Sequence, residues 1–570
     1  MKKTADLLAE LLAAEKVTDV FGIPGSEIME LIYALDRHPK IRTHLCYHEQ
    51  GAAYAACGYA QASGRLGAAY ATKGPGVTNM LTPMAEAYYG SFPVLFMTAH
   101  TPATPYQNVR IDQMKEMDPL PVVEPFVKYA VRIENPDTAA YQIRKAIKTA
   151  QEGRKGPVFL DFAAKLLETE IPEQTQQDQL PGQIQETADQ PDAGHENSLE
   201  FIRKEVRKAK RPVILIGDGL RHTGMERTVI SMAEAHQIPI LSSRVSQDLA
   251  AGSPNYYGYI GSHATRYSHF ILSKADLVLA LGNRMAYPVD SASFGPLFQN
   301  ARVIRIDVDE REFARPVPNA VNIHADLKAF LPGTAGAGLL DTHDRAWLDT
   351  CWKLKEALSD ADTGQPVPVF EHLLGQLPDD AVLVCDVGSN EMWMSRAYAH
   401  TGCRAFLLHA KFLEDLGSSL GKAAGAFYAC GRPVVCVTGD QGVQFNIQEL
   451  EQIALEQLPV AVVIVNNGRS GIIKNLQKKR GYTSFLHSTR ETGFSAPDFQ
   501  KLADAYGIHY AVLTMDDPAA FSWTDLKLPC IVDMFLPMDF EVQPALPVGN
   551  PCQKMAPALP EPLYRQLDQL

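Results

Sequence analysis

"GDQGVQFNIQELEQIALEQLPVAVVIVNN", residues 439–467, is the stretch on which the reading of the chain turns. It starts where one apolar run, "RPVVCVT", ends, and it closes where a second, "LPVAVVIV", ends. A helical pattern lies between them, so the segment reads as strand, helix and parallel strand. In open parallel sheets ligands sit beyond the carboxyl ends of the strands. Asp440 and Asn467 are both at such ends, 467 − 440 = 27 residues apart, so their side chains can converge. A carboxylate, an amide oxygen and a nearby main-chain carbonyl are hard ligands, too few for a closed cage. That set suits Mg²⁺, which completes its shell with phosphate oxygens and water. The plainer alternative makes Asp440 a turn residue and Asn467 a helix cap. Gln441 stands where a second glycine would ease the turn, which implies that the backbone there does not need a positive φ. Gly442 beside it still permits close approach to a phosphate.

Working outward, 570 residues are too many for one core, and the length prior of roughly 150 residues per domain gives three or four. The fold class expected is α/β, with three doubly wound parallel-sheet domains. The first, 1–171, carries "VFGIPG", "THLCYHE", "LGAAYATKGPG", "FPVLFMTA" and "GPVFLDFA". Residues 172–198, rich in Gln, Asp and Pro and without periodicity, read as a linker. A central domain is expected over 199–345 and a third over 360–545, followed by an irregular, docked Pro-rich tail at 546–570. The N-terminal "MKKTADLLAELLAAEKV" reads as an ordinary amphipathic helix, because Asp6, Glu10 and Glu15 interrupt any targeting pattern.

Composition narrows the function classes. A net charge of −13 opposes a nucleic-acid or anionic-membrane partner. With 46% hydrophobic and 21% charged residues, and no run of about 18 apolar residues, no membrane anchor is expected. Nine scattered cysteines, without a CxxC pair, read as reduced thiols of a cytoplasmic protein.

The 439–467 stretch resembles the thiamine diphosphate motif, which begins Gly-Asp-Gly and closes on Asn-Asn at this spacing. The resemblance implies that Asp440, Asn467 and the carbonyl of Arg469 hold Mg²⁺. The backbone at Gly439, Gln441 and Gly442, and "VGSN" at 387–390 with Gly388, Ser389 and Asn390, would hold the diphosphate. A thiamine enzyme also needs a carboxyl group on the pyrimidine. "THLCYHEQGAAYAACGYAQASG" places Glu49 at the end of an apolar strand and the start of an Ala-rich helix, like the family's catalytic glutamate. Burial among Ala and Tyr is expected to raise its pKa; the alternative is a Glu stabilising a helix N-terminus. "ATKGPGVTN" resembles the Gly-Pro-Gly loop beside the thiazolium, bringing in Gly76 and Asn79. "FLEDLGSSLGKAAG" resembles the segment that bends the cofactor, with Leu416 as the wedge and the backbone of Glu414 and Leu416 holding the aminopyrimidine.

Nearly the whole chain is similar to acetohydroxyacid (acetolactate) synthase-like enzymes. That likeness implies decarboxylation of a 2-keto acid, pyruvate first, with transfer of the two-carbon unit to an acceptor carbonyl. It also implies a homodimer or homotetramer with the active site at the subunit interface. Other readings are a carboligase acting on a keto sugar, a simple decarboxylase, or a non-catalytic relative that only binds the cofactor. The intact set of Glu49, Asp440 and Asn467 counts against the last. Departures from the family lie on the substrate side: Ala99-His100-Thr101 for Gly-Gln-Val, Met114-Lys115 for Phe-Gln, and Lys73 for Ser. His100 could serve as an acid or base near neutral pH, and Lys73 or Lys115 could attract an anion. In the central domain Arg284 and Asp307 fall on positions that hold FAD in the family, but "RMAYPVD" replaces the Arg-Phe-Asp-Asp-Arg run. FAD, another adenine nucleotide and an empty site are the three alternatives there.

Overall fold

In the computed structural model, residues 1–101, 114–171, 193–286, 297–298, 300–331, 343–362, 364, 366–410, 413–537 and 540–570 are described. They form three six-stranded sheets, each wholly parallel, plus a two-stranded antiparallel pair of Lys2–Lys3 with Glu170–Ile171. The strands are short apolar runs buried on both faces, as parallel sheets between helical layers require. In Val460–Asn466, for example, every residue before Asn466 is buried.

The first and third sheets share one topology. Across the C-terminal sheet the strands run Phe406–His409, Val382–Cys385, Val434–Gly439, Val460–Asn466, Cys530–Phe535 and His509–Thr514. Across the N-terminal sheet they run Arg42–Leu45, Asp19–Gly22, Gly67–Tyr70, Val94–His100, Val158–Ala163 and Tyr129–Ile133. In chain order both read 2-1-3-4-6-5, so the direction of winding reverses between the first and third strands. The central sheet, Tyr256–Ile260, Ile240–Ser243, Pro212–Ile216, Leu277–Leu281, Arg302–Asp307 and Ala320–His324, reads 3-2-1-4-5-6 and reverses between its first and fourth. Each reversal opens a crevice at the carboxyl ends, where a ligand can enter.

Two helices bring the outer domains together. Glu49–Ser63 is rich in Ala and Gly and packs along Ser419–Cys430 of the C-terminal domain. Small residues let the backbones approach: a Cβ on Gly58 or Gly425 would collide with the carbonyl of Lys422 or Ala55. At the same junction Lys422 Nζ, fully buried, donates to Glu86 Oε1 at 2.9 Å and lies 3.8 Å from Asp415. Losing one partner would strand a buried charge, so the set fixes how the domains dock.

Three expectations are modified. The helix Ala193–Lys208 begins inside the stretch read as linker, whose residues 172–192 lie outside those described. The strand pair at Lys2–Lys3 precedes the first helix, Thr4–Ala14. The tail is docked but not wholly irregular: Glu561–Asp568 is helical, and Cys552 and Leu567 are buried in the central core. All nine cysteines are unpaired, and no helix among the described residues is long and apolar enough to cross a membrane.

Candidate active site

The C-terminal crevice assembles most of the residues singled out in the sequence. Strand Val434–Gly439 pairs with Val460–Asn466 so that Gly439 faces Val465, which sets Asp440 beside Asn466 and Asn467. The Gly468 amide donates to Asp440 Oδ2 at 2.7 Å, and the Arg469 amide donates to Asn467 Oδ1 at 3.3 Å. Asp440 is 3% exposed, and burial pushes its carboxyl up to about 6 against the pull of surrounding backbone amides. A divalent cation would relieve that penalty by supplying the positive charge the amides provide only in part. Gln441 has φ −84°, as its residue type implied. Gly442 is required by space: a Cβ there would lie 2.9 Å from Thr438 Oγ1, 3.0 Å from Asp386 Oδ2 and 3.4 Å from Leu416 Cδ1.

On the other side of the crevice, Gly388 has φ 140° and leads into helix Ser389–Thr401, with Ser389 and Asn390 both buried. A glycine turn leading into a helix N-terminus is a place that could receive an anion. Asn390 Nδ2 donates to the Asp386 carbonyl at 2.9 Å. Sequence pattern does not single out Asp386, which directly follows the strand Val382–Cys385 that delivers "VGSN". Its buried carboxylate accepts from the amides of Val387 (2.8 Å) and Gly417 (3.0 Å), from Ser419 Oγ (2.9 Å) and from Thr438 Oγ1 (3.0 Å). One side chain thus ties the start of the cradle, the turn after Leu416 and the strand before Asp440. Glu414 sits at φ 56°, half-buried, and burial followed by the nearby Glu391 charge lifts its carboxyl to about 7.

The N-terminal domain presents Glu49 in the first turn of Glu49–Ser63, with the helix capped by His48, whose Nδ1 accepts from the Gln50 amide at 3.0 Å. Asn79 Nδ2, from helix Pro75–Gly90, donates to Glu49 Oε2 at 2.9 Å. Gly76 is in the first turn of that helix. Glu49 is half-buried rather than enclosed, so the expected burial is only partial. Next to it, Gln50 Oε1 accepts from Asn446 Nδ2 at 3.2 Å, and Glu449 Oε2 accepts from the Tyr47 amide at 3.4 Å. Both partners belong to the C-terminal domain.

Nor does sequence pattern single out Glu449 within "NIQEL". It is 1% exposed and presses on Gly51, and burial raises its carboxyl to about 7. Its folded value lies above its unfolded one, so the native state binds the proton more tightly. Stability contributed by the protonated form is therefore full at low pH and is lost as pH rises from the ordinary glutamate range through about 7. Glu449→Gln is expected to raise the melting temperature at pH 8 and to leave it nearly unchanged at pH 5. Thermal scans at the two values check this.

The substrate-side residues form two further sets. Lys73 is 7% exposed; its Nζ donates to Thr101 Oγ1 at 3.0 Å and lies 3.4 Å from Glu27. His100, 8% exposed at the end of Val94–His100, has Nδ1 2.9 Å from Asp161 Oδ2 and Nε2 3.3 Å from Glu134 Oε1. Both imidazole nitrogens thus face carboxylates, and His100 and Glu49 have different partners. Lys115, at φ 62°, sets its carbonyl against Gly74, and Met114 is 81% exposed.

In the central domain a cavity of about 480 Å³ runs along the carboxyl ends of the sheet. Arg284 and Asp307 both line it, with Gly217 and Gly282 at the point where the winding reverses. Ser91 and Arg154 from the N-terminal domain and Glu414 from the C-terminal domain close it. Arg284 Nη2 donates to Ser91 Oγ at 2.8 Å. Residues 287–290 of "RMAYPVD" lie outside those described.

A glycine turn at a helix start, beside a buried carboxylate and an amide at a sheet reversal, is where an α/β enzyme could receive a diphosphate-bearing cofactor. Among the described residues no cluster of three His, Cys, Asp or Glu is placed to hold a metal ion. Three family models match the chain in order: the N-terminal thiamine pyrophosphate-binding domain over 2–120, the central domain over 199–333 and the C-terminal thiamine pyrophosphate-binding domain over 386–524. The chain is 30% identical over 535 residues to a probable acetolactate synthase large subunit of Methanococcus aeolicus, covering 88% of this chain and 86% of that protein. It is also 30% identical to the probable chloroplastic acetolactate synthase 2 of Oryza sativa subsp. japonica (96% and 85% covered) and to the chloroplastic acetolactate synthase 2 of Nicotiana tabacum (96% and 84%). The chain belongs to the thiamine diphosphate-dependent enzymes of the acetolactate synthase-like family.

Proposed function

We propose that the chain decarboxylates a 2-keto acid, pyruvate in the first instance, and joins the remaining two-carbon unit to an acceptor carbonyl, with Mg²⁺ anchoring the cofactor. The observation that carries this reading is the pairing of the Asp440, Asn467 and Arg469 ligand set with a glycine-lined cradle, together with the Glu49 carboxylate held by Asn79. Thiamine diphosphate supplies the electron sink that stabilises the carbon left when CO₂ departs. The protein's residues bind and orient. Asp440 and Asn467 with the Arg469 carbonyl would hold the metal, while Gly388 to Asn390 and Gly442 would receive the diphosphate. Leu416, whose Cδ1 borders the space beside Gly442, would press on the bound cofactor as the wedge. Glu49 would hold and exchange a proton at its carboxylate beside the pyrimidine. Its half-buried state in one chain supports an active site completed by a second subunit, in a homodimer or homotetramer. Arg284 and Asp307 along the central cavity support FAD or a related adenine nucleotide there.

Buried Lys73, with half-buried Glu27 and Thr101 as its partners, favours a second reading within the same chemistry, in which the acceptor is polar, such as a keto sugar. Product mass spectrometry tests both. Acetolactate from pyruvate alone supports the first, a ligated product formed only with an added aldehyde or keto sugar supports the second, and free acetaldehyde alone contradicts carboligation. Visible flavin absorbance of the purified protein tests FAD.

A further inference from the structure

The segments that receive the cofactor both belong to the C-terminal domain, yet a side chain of the central domain joins them. Arg244 follows strand Ile240–Ser243, and its side chain is 10% exposed. Its Nη2 lies 3.2 Å from Glu414 Oε1 and 3.3 Å from Glu391 Oε2. Glu391 is in the first turn of helix Ser389–Thr401, immediately after the Gly388-Ser389-Asn390 cradle. Its other oxygen lies 2.7 Å from His409 Nδ1, and both residues are buried, at 0% and 1% exposed. Glu414 is two residues before the Leu416 wedge and three before Gly417, which has φ 88° and whose amide is held by Asp386. Non-glycine residues rarely hold a positive φ, so the backbone at Glu414, φ 56°, needs its surroundings to keep it there.

We propose that Arg244 is a positioning residue for thiamine diphosphate: its guanidinium, shared between Glu391 and Glu414, fixes the spacing between the diphosphate cradle and the pyrimidine-holding, wedge-bearing segment. The inference rests on the reading that these two segments hold the cofactor. A planar guanidinium can serve two carboxylates at once with little loss of freedom, which a flexible ammonium does less well. Removing it would leave two acidic groups facing each other in a poorly hydrated junction, and the two segments would move apart. Arg244 and Glu414 also line the central cavity, so the clamp forms the wall between that cavity and the thiamine site.

Titration of the wild-type protein and of Arg244→Met with thiamine diphosphate at saturating Mg²⁺ tests the proposal. Quenching of the intrinsic fluorescence gives the readout, since Trp393 lies in the Ser389–Thr401 helix itself. Arg244→Met is expected to raise Kd at least about tenfold, with part of the loss recovered in Arg244→Lys, and KM for the keto acid should change less than about twofold. A folded Arg244→Met that binds within about twofold of wild type overturns the inference, and so does a loss confined to thermal stability. If Arg244→Met does not fold, Arg244→Lys and Glu414→Gln each weaken one side of the clamp. A rise in Kd of about threefold or more supports the proposal, and unchanged binding in both overturns it. Failure of the wild-type protein to bind thiamine diphosphate would instead sink the cofactor reading, which keeps the two failures distinct.

Discussion

Glu49→Gln abolishes keto-acid decarboxylation, by about a thousandfold or more in kcat, while thiamine diphosphate still binds. The substitution keeps the size of the side chain and an oxygen for Asn79 Nδ2, now 2.9 Å from Glu49 Oε2, so the helix start and its His48 cap should survive. What it removes is a group able to exchange a proton with the pyrimidine. A helix-stabilising Glu would behave differently, since a neutral residue in the first turn costs at most about 1 kcal/mol at an exposed site and nothing in catalysis. Stopped-flow or coupled assays of CO₂ release, run beside a cofactor titration, separate the two roles. Weakened binding with unchanged turnover at saturation would place Glu49 in binding alone.

Asp440→Ala is expected to remove Mg²⁺-dependent cofactor binding, raising Kd for thiamine diphosphate by about a hundredfold or more. Asp440 is the only carboxylate of the proposed ligand set, and its oxygen also anchors the turn through the Gly468 amide. The carboxylate is held in a buried position where, without a cation, desolvation works against its charge. A metal ligand has this property, whereas a surface turn aspartate does not. Calorimetric titration with and without Mg²⁺ makes the check. If Asp440→Ala binds thiamine diphosphate as well as wild type and remains Mg²⁺-dependent, the ligand assignment is wrong.

The C-terminal crevice was legible because its residues are local. Asp440, Gly442 and Asn467 lie within one strand-helix-strand unit, and the apolar runs around them allow only a parallel pair. Gln441 was also readable from residue type, because a non-glycine at that turn implied the negative φ that it has, −84°. Three kinds of feature were harder. Asp386 gathers hydrogen bonds from residues 31 to 52 positions away, Gly417, Ser419 and Thr438, and nothing in its own neighbourhood announces that. Arg244 acts on Glu414, 170 positions later and in another domain, and an arginine after a strand has no local signature. Lys422, in the middle of an Ala- and Gly-rich helix, looks like a solvated lysine until the helix Glu49–Ser63 covers that face and Glu86 pairs with it. For Glu49 the difficulty is of another kind. Its neighbours in sequence are apolar, but it stands at the first turn of its helix and is only half-buried, so sequence pattern overstated its burial.

The most direct test of the account is CO₂ evolution from pyruvate and other 2-keto acids by purified protein loaded with thiamine diphosphate and Mg²⁺. Release of CO₂ that requires both the cofactor and the metal, and that disappears in Glu49→Gln, is the predicted result. A sample shown by titration to be fully loaded, yet releasing no CO₂ from any 2-keto acid, would contradict the account.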